Sequence, residues 1–212
     1  MKKTLILLCF PIFLFSQKTY NFPNSYDFEI ERFDLEYNWG SNYANLYPVG
    51  WSNDGKIAYL STILYPEGLG AFVSSFIIQD MKTDEIIEVV YFDEFADEIN
   101  IKEEWFNNSK IHDLLNYHKI KNEGFGEINF SSFTSSFKIL FEKKSENYEL
   151  SAYYGQDSSK VISYFQSDES MFYGGFFKSP YEERIAILII VRSAGFEGEQ
   201  DFDFNFYGKK LD

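Results

Sequence analysis

The sequence predicts an α+β fold made mostly of antiparallel sheet, a meander or sandwich-like arrangement with one helical segment near its middle. Three observations lead there. Short runs of β-branched and aromatic residues recur along the chain, separated by Gly, Asp, Asn and Pro. One stretch, about 100–121, drops the strand period of two for a helical one. Aromatic residues are 20% of the chain, with 24 Phe and 16 Tyr, and each buried ring removes a large apolar area from water.

The chain opens with "MKKTLILLCFPIFLFS", which reads as a signal peptide over residues 1–16. Lys2 and Lys3 give a positive start, Leu5 to Phe15 is an uncharged run of eleven residues, and Ser16 is a small residue before the cut. Eleven helical residues cover roughly 16 Å, about half a bilayer core, so the run is too short to span. Leu8 before Cys9 is bulky where lipid-anchor processing needs a small residue, which argues against a lipoprotein. The expected location is the periplasm or the cell exterior. Cleavage removes Cys9, the only cysteine, leaving no disulfide, no Cys-ligated metal and no cysteine nucleophile. The remaining 17 Lys and Arg face 33 Asp and Glu, a formal −16. Such a chain repels a phosphate backbone, so nucleic acid is excluded as a partner. A protein or a glycan is expected instead, with no transmembrane segment after the leader.

Residues 17–26, "QKTYNFPNSY", are polar and read as a loose N-terminal tail; 27–212 reads as a single β-rich domain. "DFEIERFDLEYN" alternates apolar and polar residues, with a parity change near Arg32 that suggests a bulge or corner. "KIAYLSTIL", "AFVSSFIIQD" and "EIIEVVYFD" follow, joined by "YPEGLG" and "MKTDE", the pattern of an antiparallel meander. Before them, Asn53 and Asp54 favour a tight turn and Gly55 accepts a positive φ. In the helical stretch, Asn100 and Glu103 suit a capping box, and Ile101/Trp105 and Ile111/Leu115/His118 fall on helical spacings. Lys119 and Lys121 suit the last turn, Gly124 its closure, and "NNS" a break. Beyond Gly126 come "EINFSSF", "FKILFEKK", "YELSAYYG", "VISYFQS", "MFYGGFFK", "ERIAILIIVRS" and "DFDFNFYG". Ile185 to Val191 is apolar throughout, as a central strand buried on both faces must be.

"GWSNDGKIAYL" has the look of one hairpin of a β-propeller blade, and "SPYEERIAIL" (179–188) echoes it. Two copies with a helix between do not make a ring of four blades, so the chain is not a complete β-propeller. The pair "GWSNDGKIAYL" and "FIIQDMKTDEI" resembles a strand–turn–strand unit in a loosely defined set of predicted secreted bacterial proteins of unknown function. "RIAILIIVRSAGFEG" (184–198) is similar to a late segment of that set. The resemblance implies export and a β-rich domain, and brings no activity or catalytic residues.

Few residues suggest chemistry. His112 and His118 are six apart, about 240° around a helix, and do not share a face as metal ligands at i,i+4 do. No Gly-x-Ser-x-Gly elbow occurs. The acid pairs Asp93/Glu94, Asp97/Glu98, Glu103/Glu104 and Glu182/Glu183 are neighbours whose side chains point apart, solvated faces more than acid/base dyads. Phe172, Tyr173, Phe176 and Phe177 form an aromatic run around Gly174-Gly175; it reads as strand core with a bulge, and as a binding surface if the rings are jointly exposed. No cofactor is expected, calcium being the one candidate metal. Glu197, Glu199, Asp201, Asp203 and Asn205 bring hard oxygens together, the last three on one strand face. The simpler reading is an edge strand with phenylalanines inward and acids in water.

These features favour a non-catalytic binding or envelope-associated protein over an enzyme, the alternative being a secreted carboxylate-dependent hydrolase acting on glycans. An enzyme needs a deep pocket with two convergent acids of perturbed pKa; a binding protein shows an aromatic surface or an open sheet edge. Calcium titration followed by calorimetry tests the metal reading: the edge-strand alternative predicts neither heat nor a thermal shift, and either one supports a site at 197–205.

Overall fold

Among the described residues, alternating apolar residues pair the chain into three antiparallel sheets of five, three and three strands, accompanied by two short helices, and no sheet closes into a barrel. The computed structural model describes residues 20–27, 44–64, 72–92, 98–129, 137–145, 147–154, 158–166, 170–194 and 200–211. The first sheet is a meander of β1 (Tyr26–Asp27), β2 (Ala44–Trp51), β3 (Lys56–Leu64), β4 (Phe72–Asp80) and β5 (Ile86–Tyr91) in that order. Helices α1 (Glu98–Asn107) and α2 (Ser109–Tyr117) follow. Strands β6 (Phe137–Lys144), β7 (Asn147–Tyr154) and β8 (Ser158–Gln166) form a second meander. The third holds β9 (Ser170–Lys178), β10 (Arg184–Ala194) and β11 (Gln200–Lys210), with β10 in the middle.

Three apolar clusters order these layers. Tyr47, Val49, Leu60, Phe76 and Ile78 on one face of the first sheet meet Trp105, Ile111 and Leu115 of the helices. From its other face, Leu46, Ile57 and Tyr59 meet Leu188, Phe204 and Phe206 of the β9–β11 sheet. That sheet turns Ile185, Ile187 and Ile189 the opposite way, onto Ile139 and Leu150 of the β6–β8 sheet. β10 is thus the central strand expected from its unbroken apolar run.

Among the described residues four register shifts occur: two set the parity of β2 and β9, a third falls in β5, where Ile87 is the extra residue, and the fourth where β7 pairs with β8. Val49 is the extra residue where β2 pairs with β3, next to Pro48, which cannot donate to a ladder. Gly174 is the extra residue in β9, and Gly175 after it has φ +110°. The inserted residue flips the faces: Phe172 packs toward the first sheet and Tyr173 toward the second, whereas beyond the bulge Phe176 faces the second and Phe177 the first. The expected turn at Ser52–Gly55 forms, with Gly55 at φ +88° and the Lys56 amide donating to Ser52 Oγ at 2.8 Å.

The helical segment is two helices, and the break expected within "NNS" falls at Asn108, whose side chain accepts from the Ile111 amide at 3.4 Å and caps α2. Two expectations are corrected, the limits of those helices and the tail. Asn100 therefore lies inside α1 instead of capping it, and α2 stops at Tyr117. Lys119 adopts φ 56° and turns the chain so that Ile120 is buried and the Lys121 amide donates to the Trp51 carbonyl at 2.9 Å. Burial of Ile120 and that bridge override the helix-ending role expected of Lys121 and Gly124. The second correction concerns the tail. Residues 20–25 are docked: Tyr20 is buried, stacks on His112 and donates to Asn116 Oδ1 at 2.7 Å, while Phe22 packs edge-on against Tyr47 and Trp105. A polar-looking segment with two aromatic rings found an apolar helical face to cover. The strand expected over 127–133 is, in its described part, a single bridge between Asn129 and Phe176. The alternation at 28–38 lies outside the described residues.

Leu188 is fully buried between two sheets, so Leu188→Ala is expected to cost roughly 3 kcal/mol in urea unfolding. A Cβ on Gly50 would overlap the Lys121 carbonyl. Gly50→Ala is therefore expected to lower the urea midpoint by more than Gly126→Ala, where a Cβ meets open space and only the φ of +80° is strained.

Candidate functional site

A sheet edge is a row of unpaired N–H and C=O groups, which a protein covers, guards or leaves open to pairing. On the β2 side of the first sheet the edge is covered. β1 pairs at Leu46 and Asn45, and the amides of Gly124 and Lys121 donate to the Val49 and Trp51 carbonyls at 3.0 and 2.9 Å. In the third sheet, Asn129 exchanges both backbone bonds with Phe176 and covers part of β9. At the far side of the first sheet, β5 pairs with β4 and with no other strand among the described residues.

β5 is also where apolar surface collects. Five large apolar side chains are exposed among the described residues, and three of them, Ile86 (55%), Ile87 (37%) and Tyr91 (74%), lie on this strand. The other two are Phe106 and Tyr117 on the helices. Tyr117 (79% exposed) sits edge-on to the ring of His118, whose Nε2 is 3.8 Å from Glu88 of β5. The end of α2 therefore lies beside the strand.

The direction of the backbone groups follows from one bond. The Phe92 amide donates to the Ser74 carbonyl at 2.9 Å. Because residues of an antiparallel strand point their N–H and C=O alternately to either side, Val90 and Glu88 also face β4. Val89 and Tyr91 face outward. The pleat separates the side chains as well: Glu88 and Val90 share the helix-side face of Ile78 and Phe76, while Val89 and Tyr91 share the opposite face of Ile77 and Ser75.

The strand is held firmly. Val90 is buried under the helices. At its start, Asp84 takes φ 64°, its Oδ1 accepts from the Gly208 amide at 2.7 Å, and its carbonyl accepts from Gln79 Nε2 at 3.0 Å. Gln79 Nε2 also reaches the Phe206 carbonyl at 2.9 Å, and Arg184 Nη1 donates to the Met81 carbonyl at 2.8 Å. The β4–β5 turn is thereby tied to β10 and β11. Burial pushes the Asp84 carboxyl above its ordinary 3.8, aided by the charge of Asp80, and the Gly208 amide and Arg184 only partly offset it. Burial, with the Asp84 charge, also pushes the Tyr207 hydroxyl up to about 12.

The residues singled out by sequence are dispersed. Phe176 and Phe177 are buried core, and Phe172 and Tyr173 are half-buried at its margin, so the four rings do not present one exposed surface. On the edge strand β11, Phe204 and Phe206 point inward, Asp203 is exposed and Asn205 half-buried. Glu197, Glu199 and the side chain of Asp201 lie outside the described residues. His112 stacks under Tyr20 while His118 faces Glu88, in keeping with their divergent positions on the helix. Glu182 pairs with Arg184 at 2.8 Å and Glu183 with Lys178 at 2.9 Å, so these two neighbours diverge toward different cations. Glu103 is exposed on α1 and Glu104 half-buried; Asp93, Glu94, Asp97 and the Glu98 side chain lie outside the described residues. The edge position of β5 is not legible in "EIIEVVYFD", which reads as an ordinary half-buried strand. Its one signal is the pair Ile86-Ile87, where the register with β4 slips by one residue and leaves Ile87 as an extra residue.

Compared with family models, curated proteins and solved structures, the chain matches none of them.

Because the Asp84 pKa is higher folded than unfolded, the stability it contributes is fully present below 3.8 and is lost as pH rises through its raised folded value. Asp84→Asn keeps an acceptor for the Gly208 amide and removes the ionisation. It is expected to flatten the rise in urea midpoint on acidification through that window; an unchanged pH profile would show that Asp84 is not the group responsible.

Proposed function

We propose that this chain is an exported, non-catalytic binding protein whose β5 edge accepts an extended segment of a partner protein as an added strand. The observation that carries the reading is the conjunction at β5. Outward-facing backbone groups of Val89 and Tyr91 lie beside three exposed apolar side chains, on a strand fixed at its start by Asp84 and underneath by Val90. A rigid edge loses little conformational freedom on pairing, and each main-chain bond adds about 1 kcal/mol net. In this reading residues 1–16 direct export, and the mature chain works in the periplasm or outside the cell. Residues 27–212 act as one α+β unit with sandwich-like stacking, which presents β5 from a scaffold that does not rearrange. A carboxylate hydrolase finds less support, since Glu182 and Glu183 are drawn to separate cations and the most strongly anchored acid, Asp84, is held by a backbone amide.

Val89→Pro removes one outward N–H while leaving the β4 ladder intact, a change an edge strand tolerates. With the mature protein as bait on solubilised envelope, wild type is expected to capture a stoichiometric partner that slows amide exchange at Val89 and Tyr91. Val89→Pro should lose that capture while its circular dichroism is kept. Equal capture by a folded Val89→Pro would rule out strand addition at β5.

A further inference from the structure

We infer that the segment added to β5 is cationic: lysine or arginine alternates with apolar residues, the basic side chains lying on the Glu88 face and the apolar ones beside Val89 and Tyr91. The inference rests on the reading of β5 as a pairing edge and adds the chemistry of its partner.

Charge is the first ground. Residues 83–101 contain seven Asp and Glu and no Lys or Arg. Two of these acids belong to the edge itself: Glu85 is exposed just before β5, and Glu88 is partly exposed within it. Among the described residues the ion-pair partner of Glu88 is His118, 3.8 Å away and beyond hydrogen-bonding reach, so the carboxylate keeps acceptor capacity for an incoming donor.

The second ground is the division of chemistry by face. A strand docked along β5 sets each side chain beside the β5 residue on the same face. Opposite Glu88 a cation is favoured and a carboxylate repelled, while opposite Val89 and Tyr91 an apolar side chain gains contact that a charge would forgo. The same rule disfavours a second copy of this chain, which would bring another Glu88 and, without the leader, a formal −16 to the edge. Glu88 and the extra residue Ile87 are devices that can also guard an edge against aggregation. β5 nonetheless leaves Ile86, Ile87 and Tyr91 outward, so its acids act as a filter on which strand may pair.

The experiment uses short peptides in which valine alternates with lysine, glutamate or threonine, titrated into the protein and followed by fluorescence anisotropy and by amide exchange. The lysine peptide is expected to bind at least about tenfold more tightly than the glutamate peptide, the sum of a few cross-strand charge pairs. That gap should narrow as salt is raised beyond about 0.1 M, where screening acts within about 10 Å. The amides of Val89 and Tyr91 should be protected, and Glu88→Gln should weaken the lysine peptide about threefold while leaving the threonine peptide unchanged. Equal affinities for all three peptides, with those amides protected, would overturn the charge preference and leave strand addition standing. Binding of the lysine peptide without protection at Val89 and Tyr91 would reduce it to attraction by an acidic surface and overturn the inference. No binding by any peptide would remove both readings. A concentration-dependent dimer protecting the same amides would assign the edge to a second copy and overturn the cationic partner.

Discussion

The structure depends on burying β10 on both faces. From Ile185 to Val191 the strand has no polar side chain to offer either side, so alternate residues must meet apolar surface in opposite directions. Unbroken apolar runs of this kind are usual in parallel sheets covered by helices; here an antiparallel strand meets the same demand by lying between two other sheets. Its backbone groups have no water to turn to, which is why β9 and β11 pair with it along nearly its whole length. The remaining layers follow. The sheet that covers Leu188 has a second apolar face of its own, and α1, α2 and the docked residues 20–25 cover that one.

Stacked sheets joined only by apolar contact could slide, and polar contacts at one end resist this. Arg184, at the start of β10, is buried, yet its guanidinium is satisfied by Glu182 and by the Met81 carbonyl. Gln79 and Asp84 bond to the backbone of β11. The bonds at the Met81 carbonyl, Gln79 and Asp84 run from the β4–β5 turn or its flanks to the β9–β11 sheet, so the position of β5 is set by the same contacts that register the two layers. A buried charge satisfied in this way specifies geometry more than it adds stability, because desolvation offsets much of the attraction. Gly55 and Gly208 belong to this junction: a Cβ on the first would press on Glu182 and Arg184, and on the second would overlap Met81.

The treatment of sheet edges gives the surface its character. The β2 edge is closed by β1 and the segment after α2, part of β9 is closed by Asn129, and β11 presents Asp203 to water. β5 combines apolar side chains, a carboxylate and outward backbone groups on a strand held in place. In the proposed reading, the main chain supplies adhesion and the two faces supply discrimination.

Local pattern was enough to read the antiparallel sheets, the turn at Gly55, the bulge at Gly174-Gly175, the central position of β10 and the inward set of Phe204 and Phe206. Each is determined within a few residues, by the pleat, by a positive φ, or by the need to bury an apolar run. The end of α2, the docking of Tyr20 and Phe22, and the closure of one edge of the first sheet, with β5 at the other edge among the described residues, were decided only by tertiary structure. They depend on residues about a hundred apart, such as Tyr20 with Asn116, or on which strand happens to have a neighbour, and no spacing within a single segment encodes that. Residue order determined which side chains had to be hidden; packing decided which strands lie at an edge, because an edge exists only relative to the strands beside it.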